Sequence, residues 1–218
     1  MYPGAYVATK PDHPAVIMAR SGEVMTFAQL DEEANRLSNV FADAGLRPGD
    51  HVAMCLENHP HYLAMLWGAH YAGLIYTAIS SRLTTEEMAY IITNSGSKAL
   101  ITSPHKADQA EELRSQMPDV ELRLMVDSTI DGYDSYEAVI ANASVEPLPD
   151  RVGGYDMLYS SGTTGRPKGV LQTREQIPLD EGGAQVSALL AGLFGVDGDS
   201  VYLSPAPMYH AAPLRFNM

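Results

Sequence analysis

Apolar residues come in short runs that alternate with stretches where they return every three or four positions. Phe27, Leu30, Ala34, Leu37 and Phe41 show the second pattern, which places them on one face of a helix. Thr26 stands at its start with Gln29 three residues on, a capping box that satisfies two otherwise orphaned backbone N–H groups. Gly45 is placed to end this helix. Ahead of it, 15–19 and 24–27 flank Ser21-Gly22-Glu23 and read as a hairpin. A strand at His51–Leu56, a helix at Pro60–Ala72 closed by Gly73, and a strand at Ile75–Ile79 follow. Thr84 with Glu87 makes a second capping box and opens a helix to about Asn94. The strand Ala99–Thr102, the helix Ala107–Gln116, the strand Leu122–Val126 and a weaker helix over Tyr136–Ala143 complete the run. Such alternation predicts an α/β fold: layers of helices flanking a largely parallel sheet.

The segment 144–154 (SVEPLPDRVGG) breaks the pattern with prolines, glycines and mixed charge, as a linker would. The expected organisation is therefore a leading α/β subdomain over 1–143, a linker over 144–154 and the start of a second subdomain over 155–218. The last part reads as a strand at Tyr155–Tyr159, a loop, a strand at Gly169–Thr173 and a helix at Gly183–Phe194. A strand at Ser200–Ser204 and a Pro-rich tail end it.

Composition narrows the function. Of 218 residues, 45% are hydrophobic and 19% charged, and the net charge is −13, a globular protein whose field repels nucleic acid and anionic lipid. An anionic ligand would need a local cluster of donors. The single cysteine, Cys55, lies in the apolar run HVAMCL and reads as a buried, reduced strand residue, consistent with a cytoplasmic location. No basic segment followed by an apolar run opens the chain, so no signal peptide is expected. Asn58 to Ser81 lacks Asp, Glu, Lys and Arg, yet Pro60 and two glycines divide it into a helix and a strand rather than a membrane span. His59, His61 and His70 lack nearby thiolates or carboxylates and read as helix-start and surface residues. Asp31-Glu32-Glu33, like Asp108, Glu111 and Glu112, reads as a solvated helix face.

The candidate chemistry lies in Tyr159–Val170, YSSGTTGRPKGV. Ser160, Ser161, Thr163 and Thr164 supply hydroxyls, Gly162, Gly165 and Gly169 let backbone N–H groups approach a ligand, and Lys168 adds a cation. Arg166 is a second cation, directed to solvent. Polyphosphate oxygens require such donors. Gly162, Gly165 and Lys168 fall at intervals of three with a strand following, which is not the Walker pattern. Composition alone leaves a flexible, solvated turn equally open.

The order of residues resembles the phosphate-binding loop of the adenylate-forming superfamily, which includes acyl-CoA synthetases, luciferases and peptide-synthetase adenylation domains. Pro207-Met208-Tyr209-His210 resembles that family's next motif, and HPAVIMARSGEVMTFAQLDEEANRL and GLIYTAISSRLTTEEMAYIITNSGSKALI resemble the front of fatty-acyl-CoA synthetases. The resemblance implies part of the large N-terminal domain of an acyl-CoA synthetase. It also implies ATP, Mg²⁺ and coenzyme A as cofactors, a small-molecule carboxylic acid as substrate, and acyl-adenylate chemistry. It implies that Ser161, Gly162, Thr163, Thr164, Gly165 and Lys168 hold phosphates, and that Tyr209 and His210 lie where the carboxylate meets the α-phosphate. Thr173-Arg174 departs from the Thr-His or Ser-His pair frequent in the family. The family's later motifs are not in these 218 residues, so an N-terminal piece, inactive alone, is expected. Uncovered apolar surface is expected to bring self-association or a disordered tail past about Ser200. Two rival readings are an adenylation unit serving a carrier protein and a non-catalytic scaffold module.

Overall fold

A computed structural model describes residues 2–160, 166–171, 176–179 and 191–218. A short helix α1 (Pro3–Val7) leads into the hairpin β1 (Pro14–Ile17) and β2 (Val24–Thr26), paired antiparallel. Then come α2 (Phe27–Asp43), β3 (His51–Cys55), α3 (Tyr62–Tyr71), β4 (Ile75–Ala78), α4 (Thr85–Ser95), β5 (Ser97–Thr102) and α5 (Ala107–Leu113). They are followed by β6 (Leu122–Met125), β7 (Asp134–Ser135), α6 (Tyr136–Asn142), β8 (Tyr155–Ser160), β9 (Lys168–Leu171) and α7 (Ala211–Asn217). Both capping boxes form: Thr26 with Gln29 on α2, and Thr84 with Glu87 on α4.

Seven strands make one sheet in the order β7-β6-β5-β3-β4-β8-β9, parallel from β7 through β8, with β9 antiparallel at the edge. Side chains alternate across the central strand. Val52 and Met54 of β3 join Leu37, Phe41, Tyr62, Leu66 and Tyr136 in one core. Ala53 and Cys55 join Met88, Ile92, Leu113 and Met125 in the other. Helices α2, α3 and α6 thus cover one face, and α4 and α5 the opposite one. With both faces covered, the central strands are nearly continuous in hydrophobic burial.

Helix α3 is buried on nearly every side, which explains the charge-free stretch it belongs to. Among the described residues no helix is long and apolar enough to cross a membrane. Gly68 lets α2 and α3 approach, since a Cβ there would lie 2.8 Å from the Leu37 side chain.

The later part of the chain shows these contacts and one departure from the expected elements. The segment 144–154 runs along α2: Asn39 Nδ2 donates to the carbonyls of Ser144 (3.1 Å) and Glu146 (2.8 Å), and Arg151 donates to Asn35 Oδ1 at 3.0 Å. Beyond it, β8 pairs with β4 in the same sheet. The expected strand at Ser200–Ser204 does not form; the segment finds no ladder partner among the described residues, and its apolar side chains face solvent. The chain past Ser200 is not shapeless either, because α7 buries Pro213 and Leu214. Of the helix expected over 183–194, residues 191–194 are helical, and those before 191 lie outside the described residues.

Candidate functional site

The hydroxyl- and glycine-rich loop joins two antiparallel neighbours. Ser160 ends β8, Lys168 begins β9, and the two are partners in the ladder. This strand–loop–strand setting differs from the strand–loop–helix of a Walker motif. Ser161, Gly162, Thr163, Thr164 and Gly165 lie outside the described residues. Lys168 is exposed, and among the described residues its ammonium has no hydrogen-bond or ion-pair partner. Arg166 does not simply face solvent: its guanidinium lies 5.1 Å from the centroid of the Tyr90 ring on α4.

On the other side of the loop, Tyr159 donates its hydroxyl to Asn94 Oδ1, also on α4, at 2.7 Å. Burial pushes the Tyr159 phenol up to about 12, so it remains a donor at neutral pH. Its ring lies over Gly169, its partner across the ladder. A Cβ on Gly169 would come within 2.4 Å of Met157 Cε and 2.9 Å of Tyr159 Cζ, so only glycine lets the ring cross the strand there.

The second motif reaches the same edge of the sheet. Asn58 follows β3 at the carboxyl end of the parallel strands, the edge at which β8 delivers Ser160. In open α/β sheets, ligands bind at that edge. Asn58 accepts from the Met208 N–H at 2.8 Å and donates to the Ala206 carbonyl at 3.1 Å. Met208 and Tyr209 are buried in the core beside Tyr62, whereas His210 is exposed just before α7. The Tyr209 and His210 rings stand 4.6 Å apart. Arg215 of α7 then binds Asp156 of β8 at 2.6 and 3.3 Å, tying the helix after one motif to the strand before the other. The hydrogen bond from Arg215 to Asp156 raises the Arg215 pKa above its ordinary value.

Asn58, Tyr90, Asn94 and Asp156 were not legible as site residues, since each acts through a partner distant in sequence. The placement of Asn58 just past a central parallel strand is the one local signal.

The histidines are more engaged than a surface reading allows. His59 Nε2 pairs with Asp127 at 3.0 Å, and His61 Nδ1 with Glu33 at 2.8 Å. Glu33 also accepts from Tyr136 at 2.6 Å, and Asp31 accepts from Tyr71 at 2.6 Å. Of the acidic cluster, only Glu32 therefore stands on a solvated face. His70 is half-buried, and desolvation pushes its imidazole down to about 4. His59 and His61 line a cavity of about 400 Å³ with Arg20, Glu23 and Asp127. Among the described residues no group of three or more His, Cys, Asp or Glu could hold a metal ion. Cys55 is buried, and burial pushes its thiol up to about 12, which leaves it unreactive as a nucleophile.

Comparison with known proteins identifies the class. The family described as AMP-binding enzyme matches residues 5–218. The chain belongs to that family. The long-chain-fatty-acid–CoA ligase FadD13 of Mycobacterium tuberculosis is 31% identical over 193 residues, 87% of this chain and 36% of that protein. A feruloyl-CoA synthase of an Amycolatopsis species is 31% identical over 208 residues, 92% of this chain and 37% of that one. The chain thus spans about a third of the length of these curated relatives. Among solved structures, the inhibitor-bound N-terminal domain of FACL13 from Mycobacterium tuberculosis superposes with a TM-score of 0.78 at 26% identity, over 99% of this chain and 52% of that one.

Proposed function

We propose that this chain carries the polyphosphate-gripping part of an ATP-dependent acid–thiol ligase. In the complete reaction a carboxylate oxygen attacks the α-phosphorus of ATP, the bond to the bridging oxygen breaks, and pyrophosphate leaves. A thiol sulfur then attacks the acyl carbon, loses its proton and expels AMP. The first step gathers negative charge on the departing pyrophosphate, and fixed donors at that position lower its barrier. Ser161, Thr163 and Thr164 offer hydroxyls and Gly162 and Gly165 backbone N–H groups to the β- and γ-phosphates, while Lys168 offsets their charge. Tyr209 walls the acyl side and His210 faces the carboxylate. Mg²⁺ would be held through the phosphate oxygens of the nucleotide and would offset their charge there.

The observation that carries this reading is Lys168: an exposed ammonium without a described partner, one ladder pair from the loop, in a protein of net charge −13. The names of the relatives, which print fatty-acid and feruloyl substrates and CoA, favour coenzyme A as the thiol and a fatty acid, then an aryl acid, as substrate. Calorimetric titration with Mg-ATP and with pyrophosphate tests it. Binding should weaken by about tenfold or more in Lys168→Ala, the size of a lost charge-assisted contact. Equal binding by the variant would refute the assignment. On the same reading, these 218 residues bind phosphate without completing adenylation, so carboxylate-dependent pyrophosphate exchange by this chain would contradict it.

A further inference from the structure

Among the described residues, strand β9 closes the sheet at its edge and is held by a neighbour on one side only. Its first residue carries the free cation, so whatever fixes β9 fixes where Lys168 points. The loop itself leaves β8 and returns as β9 at the Ser160–Lys168 pair, and both flanks of that return meet one helix. Before the loop, the Tyr159 phenol crosses Gly169 and ends on Asn94. After the loop, Arg166 rests on the face of Tyr90. Tyr90 and Asn94 are four residues apart on α4 and therefore share one helical face.

We propose that Tyr90 and Asn94 are positioning residues: together they brace the β8–β9 hairpin against α4 and so hold Lys168 where it meets phosphate. This rests on the reading of the loop as the phosphate site. Helix α4 suits the task. It is capped at both ends, by the Thr84 box and by Gly96, and Met88, Ile91 and Ile92 anchor it in the core beneath. Asn94 is exposed and Tyr90 half-buried, so their outward groups are available without cost to that core. The stacking also engages Arg166, which leaves Lys168 as the free cation among the described residues that flank the loop. If only the braced fraction of molecules is competent to bind, apparent affinity falls in proportion to that fraction.

The test is pyrophosphate binding with magnesium by the 218-residue chain, measured by calorimetry. Tyr90→Leu and Asn94→Leu should each weaken binding by about two- to fivefold, the value of one exposed cation–π contact or neutral hydrogen bond. Tyr90→Phe keeps the ring face for the Arg166 guanidinium and should retain full affinity, and local amide exchange separates the brace from a general packing role. Amide exchange at 168–171 should quicken in both Leu variants while exchange in β3 and β5 stays unchanged. Unaltered affinity in both Leu variants overturns the positioning role alone, and so does a Tyr90→Phe protein as weak as Tyr90→Leu. Absence of pyrophosphate binding by the unsubstituted chain overturns the phosphate-site reading, and the positioning role with it.

Discussion

Glu33 receives two protons' worth of hydrogen bonding at once, from Tyr136 at 2.6 Å and from His61 at 2.8 Å. The hydrogen bond to Glu33 raises the His61 pKa above its ordinary 6.5, burial opposes it, and the charges of Glu33, Glu137 and Glu23 add to the rise. A histidine whose folded pKa is raised binds its proton more tightly in the folded state. Its contribution to stability is fully present below the unfolded pKa and is lost as pH rises through the folded one. His59, stacked on His61 at 5.4 Å, is occupied by Asp127 and leaves the pair intact. In Glu33→Gln the Tyr136 hydroxyl keeps an acceptor while the imidazolium loses its counter-charge. The stability gap between the two proteins should therefore be widest well below pH 6.5 and should narrow well above it, as urea unfolding at several pH values would record. An NMR titration should place His61 above 6.5 in the unsubstituted chain and lower in Glu33→Gln. A gap independent of pH would show that the pair does not titrate as described.

At the scale of elements, legibility followed the distance over which each feature is decided. The capping boxes of α2 and α4 and the turn of the β1–β2 hairpin rest on residues within a few positions of one another, and the sequence pattern locates them closely. The strand order does not work that way. The chain passes from β4 to β5 across β3, a choice made by helix packing on the two faces and not by any local spacing. The segment 201–204 shows the converse failure: an apolar run reads as a strand, yet a strand exists only where a partner takes up its N–H and C=O groups. The acidic cluster on α2 is not simply a solvated face, because Asp31 and Glu33 meet Tyr71 and Tyr136, which arrive from other elements. The site divides in the same manner. Lys168, Tyr209 and His210 stand in recognisable local motifs. Asn58 meets Met208 across 150 positions and Asn94 meets Tyr159 across 65, so nothing in either neighbourhood announces the contact.

For the whole molecule, two terms of opposite sign govern association. Leu193, Phe194, Val201 and Leu203 are 67%, 67%, 86% and 74% exposed, and Tyr202 lies among them at 56%. Fully burying one such aliphatic or aromatic side chain contributes roughly 1.5–3 kcal/mol. Bringing two chains together costs about 4–15 kcal/mol in lost freedom of motion. One or two side chains cannot meet that cost; a contact that covers most of this group on both partners can. Against it stands the net charge of −13, which makes like chains repel at low ionic strength. Salt shortens that repulsion to about 8 Å at physiological strength and leaves the apolar term in place. The mass measured by light scattering should therefore rise with protein concentration, and rise further as sodium chloride is added. Leu203→Lys should hold the chain closer to a monomer by removing apolar surface and placing a charge inside the contact. A monomeric mass across the whole salt series would show that these side chains do not meet a second copy. Association that salt dissolves would place its origin in ion pairs between chains and not in the apolar segment.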